Sequence, residues 1–223
     1  MAGLFITIEG PDGAGKSTQV KLLADYLRKL GLEVILTREP GGTDLAEKIR
    51  ELLLAPTGET VAPMTEVLLY AASRAQHVEG LIKPALARGA VVISDRFVDS
   101  SVAYQGFGRG LGVDEVWQIN QWALGGLLPS LTIILDLELF IGRQRTAERD
   151  QKQAGGPDRL EQENLEFHQK VRDGFLSLAK QDPKRIHVVP AAGSVEQVFQ
   201  SILLLVNPLL AQRKMDQQRV NDV

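Results

Sequence analysis

The run Gly10-Pro11-Asp12-Gly13-Ala14-Gly15-Lys16-Ser17-Thr18 restricts the fold of this chain more than any other stretch. It satisfies the pattern of Gly, four residues, then Gly-Lys-Ser, between an apolar run from Leu4 to Glu9 and an amphipathic one from Lys16 to Leu30. A strand entering the loop and a helix leaving it make a phosphate site. Glycines let successive amides point at phosphate oxygens, and the helix N-terminus adds partial positive charge. Lys16 reaches the β- and γ-phosphates, and the Ser17 hydroxyl is a ligand for Mg²⁺. A triphosphate with Mg²⁺ is the expected pair.

The rest of the chain repeats this alternation. Short apolar runs predict strands at Glu33–Thr37, Ala90–Ser94, Leu131–Leu135 and Arg185–Val189. Helices are expected at Asp44–Leu54, Pro63–Arg88 with a break before Pro84, Val113–Leu124, Phe140–Arg149, Asp158–Gln181 and Ser194–Leu210. Val98–Gly112 reads as a polar loop and Asp150–Pro157 as a mobile segment. Strands that are continuously apolar belong to a parallel sheet covered on both faces, an α/β architecture. No linker divides it, so residues 1–210 are expected to form one domain with a mobile lid at about 142–160, followed by a polar tail at 211–223. A net charge of −3 leaves no excess of positive charge for a nucleic-acid polymer, and the absence of cysteine excludes disulfides and thiolate metal sites. No apolar run approaches a membrane span, and no signal-peptide pattern opens the chain, so a cytoplasmic enzyme is expected.

Positive charge is concentrated locally. Arg38 and Arg96 directly follow strands, at the edge where open α/β sheets bind ligands. Arg145 and Arg149 lie four residues apart on one helix face beside Arg143, and repel unless an anion lies between them. With Arg74 and Arg159 they suggest a second phosphate-bearing substrate. A monophosphate is close to a dianion at neutral pH, since its second pKa is about 6. It needs no general base, and cations that offset anion repulsion dominate the chemistry. At about 4 Å and an effective dielectric of 20, each charge pair contributes roughly 4 kcal/mol before desolvation. Asp95 and Asp136 both end strands; Asp95 is favoured as the Mg²⁺-supporting acid, with Asp136 a helix cap. His77, His168 and His187 lack metal-site spacing.

Further segments make the chain resemble bacterial thymidylate kinases over nearly its whole length. They are Thr37-Arg38-Glu39-Pro40-Gly41-Gly42-Thr43, Leu69-Tyr70-Ala71-Ala72-Ser73-Arg74, Asp95-Arg96-Phe97, Ala103-Tyr104-Gln105-Gly106 and Asp158-Arg159-Leu160-Glu161. The resemblance implies a five-stranded sheet in the nucleoside monophosphate kinase arrangement, transfer of the ATP γ-phosphate to dTMP, and a homodimer. It also implies that Arg38 and Arg96 hold the dTMP phosphate, Tyr70 stacks on thymine, Arg74 donates to its O4 and Gln105 bonds the base edge. By the same correspondence Tyr104 crowds the sugar 2′ position, Asp12 reaches the 3′-hydroxyl, Ser101 joins the substrate wall, and Glu39-Pro40 is cis. The family takes a catalytic arginine from the phosphate loop or from the lid. Position 13 is glycine here, so the lid is expected to supply it, from Arg149 first and Arg145 second, alongside Lys16 and Arg96. Two other readings compete. A deoxynucleoside kinase would need a carboxylate base, for which Glu9 is the candidate. A nucleotide-dependent switch would have no use for arginines converging on one cleft.

Overall fold

The computed structural model describes residues 3–55, 60–152 and 158–221, the side chains of 149–152 and 216–221 excepted. Among these residues a five-stranded, all-parallel sheet is flanked by helices on both faces. Its strands are β1 (Leu4–Glu9), β2 (Val34–Arg38), β3 (Val91–Asp95), β4 (Leu131–Asp136) and β5 (Ile186–Pro190), in the order β2-β3-β1-β4-β5. The chain moves outward from β1 to one side and then returns to fill the other. This strand-order reversal makes a crevice at the carboxyl end of β1, where such sheets bind ligands. Register sharpens it: Ile8 and Arg38 both pair with Asp95, so Glu9, Arg38 and Asp95 end together on that edge.

One face of the sheet packs on α1 (Lys16–Lys29) and α9 (Val195–Asn221), where Leu23, Leu27, Ile202 and Val206 meet Ile6, Ile8, Ile93 and Ile133. Each such buried side chain contributes about 1.5–3 kcal/mol relative to exposure. The opposite face carries α3 (Pro63–His77), α4 (Lys83–Ala87), α6 (Val113–Leu124) and α8 (Leu165–Gln181), over separate clusters around Phe97 and Phe175. The remaining helices, α2 (Asp44–Leu54), α5 (Val98–Ser101) and α7 (Leu139–Lys152), lie at the edges.

Most boundaries fall within three residues of the sequence reading, and four stretches differ from it more deeply. Val98–Gly112 is not a loop: α5 runs into π-helical turns at Val102–Gly108. Its Ser, Gly and Tyr residues read as breakers, but α8 buries them, with Val102, Ala103 and Tyr104 against Phe167, Val171 and Phe175. Packing overrides weak propensity here. Asp158–Asn164 is turn, with α8 starting at Leu165. The Asp158 carboxylate accepts the Leu160 and Glu161 amides at 2.9 Å each, and Asn164 caps α8 through the Phe167 amide at 2.8 Å. Short polar side chains that bond nearby amides start and stop helices in this way. The stretch before Pro84 is bridged by π-helical turns at Val78–Ile82. Finally, the last helix does not stop at Leu210 but runs to Asn221, and Arg213 bonds the Gly89 carbonyl. Of the expected mobile segment, Asp150–Lys152 is helical and 153–157 lie outside the described residues. No helix among the described residues is long and apolar enough to cross a membrane.

Candidate active site

The crevice opens into a cleft of about 720 Å³, within the range of nucleotide-sized ligand sites. Its floor is the phosphate loop. Gly15 takes a left-handed conformation at the N-cap of α1 with no side chain capping it, so the first amides of the helix stay free for an anion. Lys16 is buried and donates to the carbonyls of Gly10 at 3.0 Å and Pro11 at 2.8 Å. Burial, and then the nearby Arg96 charge, push its ammonium down to about 8, although Asp12 and Asp95 oppose them. An anion in the loop would raise it again. Gly10 and Pro11 thus act from behind the cleft wall, while residues 12–18 line it.

Arg96 stands at the centre. It is the non-glycine residue with positive φ among those described, at +71°, a conformation that costs about 1–3 kcal/mol. The surroundings hold it there. Its amide donates to the Ile8 carbonyl at 3.0 Å, and its guanidinium reaches Gly10 O at 3.1 Å, Ser100 Oγ at 3.1 Å and Asp12 Oδ1 at 2.6 Å. It also donates to Tyr104 Oη at 3.1 Å while packing over that ring. Tyr104 Oη in turn donates to Asp12 Oδ2 at 3.2 Å. Burial works against the Asp12 charge, but Arg96 and Lys16 outweigh it and lower its pKa to about 2.

Beside this network Ser17 Oγ donates to Asp95 Oδ2 at 2.8 Å, bringing a hydroxyl and a carboxylate together at the loop. That oxygen pair suits Mg²⁺, which takes few protein ligands and completes its octahedron with water and phosphate oxygens. Among the described residues no cluster of three His, Cys, Asp or Glu could hold a metal unaided. Asp136, the other strand-end acid, takes a two-pronged grip from Arg172 at 2.7 and 3.0 Å.

The opposite wall carries Arg38, Tyr70, Arg74, Ser101, Tyr104 and Gln105. Tyr70 is half-buried and lines the cleft. Arg74 is 1% exposed and paired with Glu39 at 2.7 Å, yet it still faces the cavity. The Glu39-Pro40 bond is cis. Arg38 is exposed and shares Glu47 at 2.8 Å. Arg159 does not join the wall; it pairs with buried Glu66 at 2.6 Å. Several of the arginines counted toward a second anion are therefore already partnered within the chain. On α7, Arg145 lines the cleft and donates to the Ala191 carbonyl at 3.1 Å, whereas the Arg149 side chain lies outside the described residues.

Sequence reasoning missed part of the wall. Arg50 of α2 lines the cleft and donates to Pro40 O at 2.9 Å, and no sequence signal marked it. The Ala191–Val195 turn also lines it, beside the phosphate loop. Its Gly-Ser breaker follows β5 at the same sheet edge, so the logic that found Arg38 could have found it.

The profile of the family described as thymidylate kinase matches residues 8–202. A thymidylate kinase of Exiguobacterium sibiricum is 51% identical over 89% of this chain and 91% of its own. One from Pseudomonas putida is 52% identical over 91% of this chain and 94% of its own. Among solved structures, the thymidylate kinase from Ehrlichia chaffeensis is 34% identical with a TM-score of 0.75, covering 93% of this chain and 99% of that one.

Proposed function

The chain belongs to the thymidylate kinase family, and from that premise we propose how its cleft works: ATP on the phosphate loop, dTMP against the Tyr70–Arg74 wall, and γ-phosphoryl transfer between them. One observation carries the assignment. Arg96, held in a strained conformation, touches the phosphate loop through Gly10 and Asp12 and the acceptor wall through Tyr104. A cation spanning both halves suits a reaction whose barrier is repulsion between anions.

In the step, an oxygen of the dTMP phosphate attacks the γ-phosphorus. The bond from that phosphorus to the β–γ bridging oxygen breaks, ADP leaves, and dTDP forms. A dianionic acceptor has no proton to surrender, so no base is required. Lys16 and Arg96 hold charge where it develops on the transferring oxygens, and Arg38 anchors the acceptor phosphate. Asp12 and Tyr104 meet the deoxyribose, Tyr70 and Gln105 the base, and Ser101 closes the wall. Ser17 and Asp95 would hold Mg²⁺, which would supply further neutralisation of the phosphates. The remaining positive charge comes from α7, through Arg149 with Arg145 second, in a lid spanning about 142–160. Support for a lid source comes from Gly13: a Cβ there would meet the Gly142 carbonyl at 2.3 Å, so no arginine side chain fits at that loop position.

The deoxynucleoside kinase reading is weakened by the position of Glu9. It is fully buried, accepts from the Phe97 amide at 2.7 Å and from Ser100 Oγ, and does not line the cleft. Its seat offers no path to a sugar hydroxyl. The thymidylate kinase reading takes the protein as a cytoplasmic homodimer. Exposed Trp122 on α6, with Leu68 and Met64 on the adjoining α3, supports a partner on that side.

Coupled ADP release with Mg²⁺ and ATP, run across dTMP, dCMP, dGMP, AMP and thymidine, tests the reaction. Turnover with dTMP far above the others is expected; turnover with thymidine and not dTMP would contradict it.

A further inference from the structure

Gln105 lines the cleft while one end of its amide is engaged behind the wall. Its Nε2 donates to Glu66 Oε1 at 2.8 Å, and the two residues are 1% and 0% exposed. Glu66, on α3, lies among cations. Arg109 grips both of its oxygens, Nε to Oε1 at 3.3 Å and Nη2 to Oε2 at 3.1 Å, and Arg159 Nη1 approaches Oε2 at 2.6 Å. Burial opposes a charge on Glu66, but the hydrogen bonds from Arg109 and Gln105 and the arginine charges outweigh it and hold its pKa below the ordinary value. An ionised carboxylate can only accept hydrogen bonds. It therefore fixes which way round the Gln105 amide sits: NH₂ toward Glu66, carbonyl turned away from it.

We propose that Glu66 is a positioning residue for base specificity, holding the Gln105 carbonyl toward the acceptor base so that a pyrimidine donating from N3 is selected over one accepting there. The proposal deepens the dTMP reading and rests on it. Thymine carries N3–H beside the O4 acceptor, whereas cytosine carries a bare N3 beside an amino group. Arg74, donor only, faces the same cavity and matches O4 but meets the cytosine amino group donor to donor. Glu66 itself touches no substrate and does not line the cleft. Its effect passes through the amide. A site whose buried polar groups are left unpaired by the wrong ligand rejects it far more strongly than a difference in shape alone would.

Glu66→Gln reverses this logic. Arg109 and Arg159 claim the carbonyl of the introduced amide, its NH₂ faces Gln105, and the Gln105 amide must turn round to accept. Its NH₂ then enters the cleft, where it suits cytosine N3. The test measures kcat/KM and Kd for dTMP and for dCMP in the wild type, Glu66→Gln and Glu66→Asp. For Glu66→Gln the expected result is a dTMP-to-dCMP ratio lowered at least about tenfold through KM and Kd, as befits one buried hydrogen bond mispaired. Equal losses on both nucleotides would mean a merely structural role and overturn the proposal. Glu66→Asp stays acceptor-only, so its ratio is preserved even if dTMP binds more weakly; a ratio that collapses there also overturns it, and this variant decides the matter if Glu66→Gln does not fold. In a Gln105→Leu background Glu66→Gln should leave the ratio unmoved, and a further fall would contradict action through Gln105. Absence of wild-type turnover with dTMP would instead undo the underlying reading, before any ratio is compared.

Discussion

Arg96 and Glu9 share one hydrogen-bonded unit, because Ser100 Oγ contacts both, at 3.1 Å and 2.5 Å. Burial, reinforced by the neighbouring Asp99 charge, raises the Glu9 pKa from 4.5 to about 8, against the pull of Ser100 and Arg96. Below pH 4.5 folded and unfolded chains both hold the proton, and its stabilising effect is complete. As the pH rises toward about 8 the unfolded chain releases the proton and the folded one keeps it, so stability is lost across that window. Glu9→Gln, neutral throughout, should flatten the fall in Tm between pH 5 and 8; parallel wild-type and variant curves would show that Glu9 does not titrate this way. At this scale the sequence was readable wherever a residue was tied to a strand end, as Arg38, Asp95 and Arg96 are. It was silent on how the buried acids Glu39 and Glu66 are paired. Their partners come from remote elements, and nothing in local spacing records that Arg74 or Arg109 will fold onto them.

The phosphate loop and α7 meet backbone to backbone at Gly13 and Gly142. A Cβ added at Gly142 would lie 2.7 Å from the Asp12 carbonyl, with no flexible side chain to yield. Gly142→Ala should therefore push α7 off the loop, costing about 1–3 kcal/mol by overpacking and lowering Tm by roughly 3–10 °C. Because Arg145 rides on that helix, the KM for ATP should rise as well. Unchanged Tm and KM would show that the helix and loop are not coupled through this contact. Two amphipathic helices, α2 and α6, could be bounded to the residue from sequence. The stretch from Val98 to Gly108 could not, since its helicity depends on α8, brought to it by the fold.

For the molecule as a whole, the parallel sheet and the position of its ligand edge were legible because each strand is a short apolar run and the phosphate loop marks β1 as the switch point. Pairing between copies is a different matter, since an exposed apolar side chain looks the same in sequence as a buried one. Trp122 is 91% exposed on α6. Sedimentation equilibrium should give about twice the 24.4 kDa chain mass, and Trp122→Asp should shift the protein toward monomer with its secondary structure intact; a wild-type monomer would refute the homodimer. In the proposed reaction the γ-phosphoryl group of ATP passes directly to the phosphate of dTMP. Its most direct test follows ATP radiolabelled at the γ-position during turnover with Mg²⁺ and dTMP, separating the products. Label is expected in dTDP, with free phosphate at the level seen without enzyme. Label released as phosphate in step with ADP, and none in dTDP, would contradict it.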